Sequence, residues 1–131
     1  MEKKYLSILG AFINKIKRER ILFELQSEKK REMAFSKLSN FSECFNEKEI
    51  SVDLSHLEDE QAIQAIERTI DKKDCFDLVY NEICPITKAY QRAVDSYMFN
   101  ALIVDEYTVI YIGECEYGAS DKYILRKEKM L

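Results

Sequence analysis

The first part of the chain carries its apolar residues at helical spacing. Apolar side chains recur every three or four positions, at Tyr5, Ile8, Leu9, Phe12, Ile13 and Ile16. This spacing predicts a helix from about Lys3 to about Lys17 with one apolar face. The pattern breaks at Gln26 and Ser27, where the serine hydroxyl can cap a second helix that runs to about Phe41. The sequence therefore predicts two N-terminal helices, each with a face that must be buried.

The period shortens to two residues near the middle of the chain. Ile50, Val52 and Leu54 alternate with polar residues, which predicts a strand with one buried face. Ser55 and Glu58 have the spacing of a capping box, so we expect the next helix to begin at this serine. Apolar residues at helical spacing then supply the stripe that this helix buries: Ala62, Ile63, Ile66 and Ile70.

A second strand and a further helix are expected after the charged segment DKKD. The segment Cys75–Tyr80 is short and rich in strand-forming residues, which predicts a strand. Pro85 follows at a place where the first turn of a helix tolerates proline. An apolar stripe at helical spacing then predicts a helix from about Ile86 to about Tyr97.

Strand-forming residues dominate the chain from Asn100 onward. The segments ALIV and TVIYI are almost wholly apolar, which is typical of strands covered on both faces. Asp105–Tyr107 is short enough to be the turn between them, and YILRK follows as a third strand. The glycines and polar residues before YILRK favour a turn there over a reactive site. A three-stranded antiparallel meander is therefore expected at the C-terminal end.

These elements together predict one α+β domain over residues 1–131, with N-terminal helices and a mixed sheet that ends in the meander. A length of 131 residues suits a single domain. Charge divides the domain into two segments. Residues 1–41 hold ten Lys and Arg against five Asp and Glu, net +5, whereas residues 42–131 hold ten against nineteen, net −9. A basic helical segment thus precedes an acidic one.

The composition favours a cytoplasmic protein with reduced thiols. No apolar run approaches the ~20 residues that a membrane span needs, and no cleavage site of a secretory signal follows the short apolar patch near the N-terminus. We therefore expect no membrane contact. The four cysteines, Cys44, Cys75, Cys84 and Cys115, lack the close pairing of a zinc site and are expected to be buried thiols. Neither a metal nor a cofactor is expected.

Motifs for catalysis are missing from the sequence. It contains no phosphate-binding loop, no dinucleotide fingerprint, no nucleophile elbow and no zinc-protease motif. His56 is the only histidine, and it precedes a predicted helix, where a polar residue next to the helix cap is common. These absences favour a protein that is not an enzyme. The alternative is a small enzyme or ligand-binding domain that uses Cys115, Cys75 or His56.

The acidic segment with its tyrosines indicates a protein-binding role. Opposite charge accelerates association, and tyrosine is a frequent anchor residue in interfaces. We therefore expect a protein with a basic surface as the partner, and an immunity or inhibitor role against a cationic, nuclease-like toxin. The expected partner-binding residues are Asp105, Glu106, Tyr107, Tyr111, Glu114, Glu116, Tyr117, Asp121 and Tyr123.

Two further alternatives concern the N-terminal helices. Their basic runs, Lys15–Arg20 and Lys29–Arg31, could bind nucleic acid if they merged into one stripe. The net negative charge of the rest of the chain repels phosphate, so nucleic acid is not the expected partner. The apolar face of the first helix could pack within the chain or against a second copy, which leaves a homodimer open.

Overall fold

A computed structural model describes residues 1–115 and 120–128 of the chain. The described residues form six helices: α1 (Lys3–Phe12), α2 (Lys15–Gln26), α3 (Arg31–Leu38), α4 (Phe41–Cys44), α5 (Asp59–Thr69) and α6 (Ile86–Ser96). They also form six strands: β1 (Ile50–Asp53), β2 (Asp74–Asp77), β3 (Glu82–Pro85), β4 (Asn100–Asp105), β5 (Thr108–Ile112) and β6 (Lys122–Arg126). The predicted α+β fold is therefore confirmed.

All six strands form one sheet, in the order β1-β6-β5-β4-β2-β3. Every strand pairing among the described residues is antiparallel, so the expectation of a mixed sheet is wrong. The reason lies in β3, which the sequence pattern did not reveal. Its four residues follow a tight turn after β2 and return beside that strand. Strand β2 therefore lies between β3 and β4, the two strands that α6 connects, and it pairs antiparallel with both of them.

Helices cover both faces of the sheet. On one face, residues of α1 to α4 pack against alternating side chains of the central strands, among them Ile103, Val109 and Tyr111. On the other face, α5 and α6 pack against the intervening side chains, including Leu102, Ile110 and Ile112. Burial on both faces explains why the strand segments are almost wholly apolar. The apolar face of α1 is likewise buried within the chain itself.

The N-terminal region contains a break that the helical spacing did not reveal. The predicted helix over residues 3–17 ends at Phe12, because Ile13 is extended and forms an isolated antiparallel bridge with Phe45. Asn14 donates its backbone N–H to the Cys44 carbonyl oxygen, 2.8 Å away. The change in direction leaves Ile16, expected on the buried face, 95% exposed. The break accompanies contacts of Ile13 and Asn14 with Cys44 and Phe45, which are distant in the chain, so the local spacing of apolar residues could not predict it.

Two predicted helix starts also differ from the structure. Ser27 ends α2, and α3 begins four residues later at Arg31. The capping box involves Glu58 and Gln61, and α5 begins at Asp59. Ser55 instead joins the turn before α5 to β6, since its hydroxyl accepts the backbone N–H of Lys122 at 3.0 Å.

The strand predicted over Cys75–Tyr80 is shorter than expected. It ends at Asp77, and the four residues that follow form the turn to β3. Asn81 closes this turn in a left-handed conformation, with a φ angle of 56°. None of the helices in the described ranges is both long and apolar enough to cross a bilayer.

Candidate functional site

Helix α3 lies against one end of the sheet and forms one wall of a groove. The phenolic oxygen of Tyr111 in β5 donates a 2.8 Å hydrogen bond to the carbonyl oxygen of Leu38, the last residue of α3. Phe41, at the start of α4, packs edge-on against the Tyr111 ring, with 4.9 Å between the ring centroids, and also contacts the Tyr123 ring at 4.6 Å. These contacts fix the position of α3 relative to β5 and β6.

The groove consists of two adjoining clefts, which we call the acidic groove. The first, of about 480 Å³, lies between the α3–α4 turn and the start of β6. The second, also of about 480 Å³, lies between α3 and the connection from α6 to β4. Ser36, Ser39 and Glu114 line both clefts. The two clefts therefore form one continuous surface along α3.

Carboxylates dominate the charge of the acidic groove. Its described lining contains five acidic residues: Glu28, Glu32, Glu47, Glu114 and Asp121. Among the described lining residues, Arg31 alone carries a positive charge, and its Nε donates to the Leu25 carbonyl oxygen at 3.1 Å. The carboxylates of the groove are exposed to solvent. Their combined negative potential favours the approach of a cationic group.

Two exposed apolar residues stand at the edge of the acidic groove. Tyr97 is 66% exposed and Met98 is 58% exposed. Tyr97 ends α6 in a left-handed conformation, with φ 58° and ψ 17°. This conformation costs a side-chain-bearing residue about 1 kcal/mol and is usually taken by glycine at the end of a helix. Most of the Tyr97 side chain is in solvent, so it contributes little to the stability of the fold. The needs of folding therefore do not explain why a tyrosine occupies this position.

Three of the predicted partner-binding residues lie in the acidic groove: Glu114, Asp121 and Tyr123. Partial burial, with the Asp121 carboxylate nearby, raises the pKa of the Tyr123 phenol, so this residue stays neutral at physiological pH. Glu116 and Tyr117 lie outside the described residues. These three predicted residues lie on the sheet side of the groove.

The other predicted residues lie elsewhere. Asp105 ends β4, and Glu106 and Tyr107 form the turn to β5, at the opposite end of β5 from Glu114. A five-residue strand is roughly 17 Å long, so these residues and Glu114 do not belong to one compact site. Asp105 and Glu106 instead line a separate cleft beside α1, where Lys4 offsets their charge. The predicted C-terminal residues therefore do not form a single binding face.

Tyr111 is not available to a partner in this structure. Its side chain is 0% exposed, and burial raises the pKa of its phenol well above the ordinary value. The prediction placed it on the binding face because it is one of four tyrosines in the acidic C-terminal segment. In the fold its side chain points to the helix-covered face on which α3 packs, so its role is structural.

The sequence prediction missed the helical side of the acidic groove. Glu28 and Glu32 belong to the segment counted as basic, and Glu47 belongs to the acidic segment but was not named as a binding residue. The weak signal was the spacing of Glu32, Ser36 and Ser39, which places three polar residues on one face of a helix. Tyr97 gave no signal, because the prediction counted it in the apolar stripe of the helix from about Ile86 to about Tyr97. In the structure α6 ends at Ser96 and Tyr97 is 66% exposed.

Most of the basic side chains of α2 and α3 take part in contacts within the chain. Their partners are other residues of the helical layer: Lys17 pairs with Glu43, Arg18 with the Ile13 carbonyl, Arg20 and Lys37 with Glu24, and Arg31 with the Leu25 carbonyl. These contacts use charge that a nucleic-acid surface would direct at phosphates. The helical layer is therefore a poor match for that alternative.

The cysteines and the histidine show no assembled catalytic site. Cys44, Cys75 and Cys84 are buried, and burial raises the pKa of each of these thiols. Cys75 and Cys84 lie opposite each other on β2 and β3, whereas Cys115 is half-buried beside Tyr97, whose carbonyl oxygen accepts its N–H at 3.1 Å. His56 is exposed in the turn before α5.

Within residues 1–115 and 120–128, no group of three or more His, Cys, Asp or Glu side chains has the arrangement of a metal site. Polar and acidic residues line most of the groove, which suits it to bind a charged surface. Comparison with models of protein families, with curated proteins and with solved structures finds no match to this chain.

Proposed function

We propose that this protein is a non-catalytic binding protein whose acidic groove takes a basic surface of a partner protein. The observation that carries the proposal is the collection of five carboxylates around two adjoining clefts with one guanidinium among the described lining residues. Within this proposal, an immunity or inhibitor role against a cationic, nuclease-like toxin accounts best for the charge. Such a toxin must present a basic surface to bind nucleic acid, and an acidic protein can cover it.

The shape and charge of the groove support a protein partner over a nucleic acid. Phosphates would meet the carboxylates of Glu32, Glu114 and Asp121 at the groove, and like charges repel. A Lys- or Arg-bearing surface would instead approach with electrostatic acceleration that weakens as salt increases. The serine hydroxyls along α3 add hydrogen-bonding groups for a polar interface.

The experiment that tests this proposal is affinity capture with matched charge variants. The groove variant is Glu114→Lys/Asp121→Lys. The control is Glu67→Lys/Asp71→Lys, which changes the net charge equally at exposed residues around the end of α5, in the other helical layer. Each immobilised protein is exposed to lysate of the source organism at low and moderate salt, and retained proteins are identified and quantified.

We expect the unmodified protein and the control variant to retain the same basic protein in stoichiometric amount, and the groove variant to lose it. The retained protein is then purified and assayed for nuclease activity with and without added binding protein. Loss of activity in a one-to-one mixture would support the inhibitor role. Equal retention by the groove variant would show that the groove is not the binding site, and retention of acidic proteins or RNA would contradict the proposal.

A further inference from the structure

The acidic groove has an apolar section beside the α6–β4 connection. Met98 lines the second cleft together with Phe35, Val79 and Phe99. Phe99 is buried, Phe35 and Val79 are half-buried, and Met98 is exposed. Three carboxylates, those of Glu28, Glu32 and Glu114, line the same cleft. Arg31 also lines this cleft, so the apolar floor lies within a rim of three carboxylates and one guanidinium, with a net negative charge.

Tyr97 extends this apolar surface. It precedes Met98 in the chain, and it lines a small neighbouring depression together with Cys115 and Ser120. Ser120 also lines the first cleft of the acidic groove, so Tyr97 borders the groove as well. Both Tyr97 and Met98 expose more than half of their side chains. Exposed aromatic and methionine side chains of this kind are enriched in the centres of protein interfaces.

The occupant must fit both the apolar floor and the negative rim. A purely apolar ligand would leave the carboxylates without partners, and a purely cationic ligand would leave Tyr97 and Met98 exposed to water. A basic protein segment that carries one large apolar side chain satisfies both requirements, because the apolar side chain enters the cleft while flanking Lys or Arg side chains meet the carboxylates. A cleft of about 480 Å³ is large enough for this arrangement.

We propose that Tyr97 and Met98 form an apolar anchor site that binds one large apolar side chain of a Lys- and Arg-rich partner segment. This inference rests on the proposed function and adds a specificity rule to it: charge alone is not sufficient for tight binding. The segment's positive charges steer it to the acidic groove, and the apolar side chain slows its dissociation.

The test uses a random peptide library displayed on phage as the probe. Selection is carried out in parallel on the unmodified protein, on Tyr97→Gly/Met98→Ser, on Glu114→Lys/Asp121→Lys and on the control Glu67→Lys/Asp71→Lys. We expect the unmodified protein and the control to enrich peptides with one large apolar residue between Lys or Arg residues. The Tyr97→Gly/Met98→Ser variant should enrich basic peptides without an apolar preference.

A synthetic peptide of the leading selected sequence then gives affinities by fluorescence anisotropy. We expect the Tyr97→Gly/Met98→Ser variant to bind this peptide about tenfold more weakly, a loss typical of removing anchor residues. Because glycine is favoured in the left-handed conformation of residue 97, the variant should unfold at the same or a higher denaturant concentration. The loss of affinity would then not result from misfolding.

The outcomes separate this inference from the proposed function. Enrichment of basic peptides without an apolar residue, or affinity within about twofold after Tyr97→Gly/Met98→Ser, would overturn the anchor site and leave the acidic groove as a binding surface. A clear loss of stability in that variant would also overturn it, because the two side chains would then serve folding. Selection of peptides without basic residues by the unmodified protein would contradict both.

Discussion

The hydroxyl group of Tyr111 donates a 2.8 Å hydrogen bond to the carbonyl oxygen of Leu38. The two residues are separated by 72 others in the chain, and their contact joins the centre of the sheet to the last turn of α3. Helix α3 forms the helical wall of the acidic groove. This single buried bond therefore helps to hold the groove open at a fixed width.

Substituting Tyr111→Phe should destabilise the protein by about 1–2 kcal/mol, because the Leu38 carbonyl oxygen would lose a buried hydrogen bond while the ring packing is kept. Urea denaturation at neutral pH measures the change. The matched control is Tyr97→Phe, which removes the same hydroxyl group from an exposed side chain and should stay within about 0.5 kcal/mol. Equal stability of both variants would contradict the structural role of Tyr111.

The strand that holds Tyr111 was predictable, but the function of this residue was not. The segment TVIYI predicts a strand covered on both faces, and β5 spans the same residues, Thr108–Ile112. Strand periodicity shows that side chains alternate between the two faces, but it does not show which element packs on each face. Tyr111 faces α3, so an aromatic residue that suggested an interface belongs to the core.

Only residues on the sheet side of the acidic groove were predicted, and the helical side was missed for a related reason. Counting charges by segment assigned +5 to residues 1–41, and this sum hides how the charges are arranged. Glu24 is buried and pairs with the exposed Lys37 and Arg20 side chains, while Glu32 lines the groove. Such pairings depend on how α2 and α3 pack, which is a contact between helices that no local pattern specifies.

Glu24 should make the stability of the protein depend on pH in the acidic range. Its side chain is fully buried and accepts two hydrogen bonds from Lys37 Nζ, at 2.8 and 3.0 Å. The hydrogen bond from Lys37 is the main cause that holds the pKa of this carboxyl below its ordinary value. The stabilisation is present above the unfolded-state pKa of about 4.3 and is lost as the pH falls through the lower pKa of the folded protein.

The Glu24→Gln variant should therefore lose less stability than the unmodified protein between about pH 6 and about pH 3. Urea denaturation at several pH values in this range measures the difference. Glu19→Gln, a substitution of an exposed residue on the same helix, serves as the control and should keep the original pH dependence. A parallel pH dependence in the Glu24→Gln variant would show that the buried carboxyl is not responsible.

Tyr90 has a buried hydroxyl group that, unlike that of Tyr111, has no hydrogen-bond partner among the described residues. Removing it by Tyr90→Phe should stabilise the protein by about 1 kcal/mol, since an unpaired polar atom no longer has to be buried. Urea denaturation at neutral pH measures this gain. A loss of stability would indicate that the hydroxyl has a partner in solution.

Tyr90→Phe should also change how the stability of the protein depends on pH in the alkaline range. Burial raises the pKa of Tyr90 to about 12. The folded protein therefore resists ionisation of this phenol, and the stability of the fold decreases as the pH rises from about 10 toward about 12. The Tyr90→Phe variant should show a shallower alkaline loss of stability, whereas Tyr97→Phe should not.

The ion pair of half-buried Arg92 with buried Asp77 should contribute more to stability than the ion pair of Arg92 with exposed Glu82. Asp77 is fully buried and accepts hydrogen bonds from Arg92 at 2.6 Å and from Asn100 at 2.9 Å. Asp77→Ala should cost about 3 kcal/mol, because it leaves the guanidinium and the amide without their partner. Glu82 also pairs with Arg92 but is largely exposed, so Glu82→Ala should cost less than about 1 kcal/mol. Similar costs for both in urea denaturation would contradict this ranking.

Thiol labelling tests the alternative in which a cysteine carries function. In the folded protein, Cys115 should react first with an aromatic disulfide reagent, since it is half-buried while the other three cysteines are buried. Burial also raises the pKa of the Cys44, Cys75 and Cys84 thiols, which lowers the thiolate fraction that reacts. Cys115→Ser should remove the fast phase, and Cys84→Ser should retain it.

The absolute labelling rate of Cys115 shows whether this thiol is only accessible or is also activated as a nucleophile. If Cys115 is only accessible, its rate in the folded protein stays at or below the rate of the same thiol in the urea-unfolded chain. A folded-state rate well above that reference would require an environment that activates the thiol. Such a result would favour an enzyme or ligand-binding domain centred on Cys115 and would count against a purely protein-binding role.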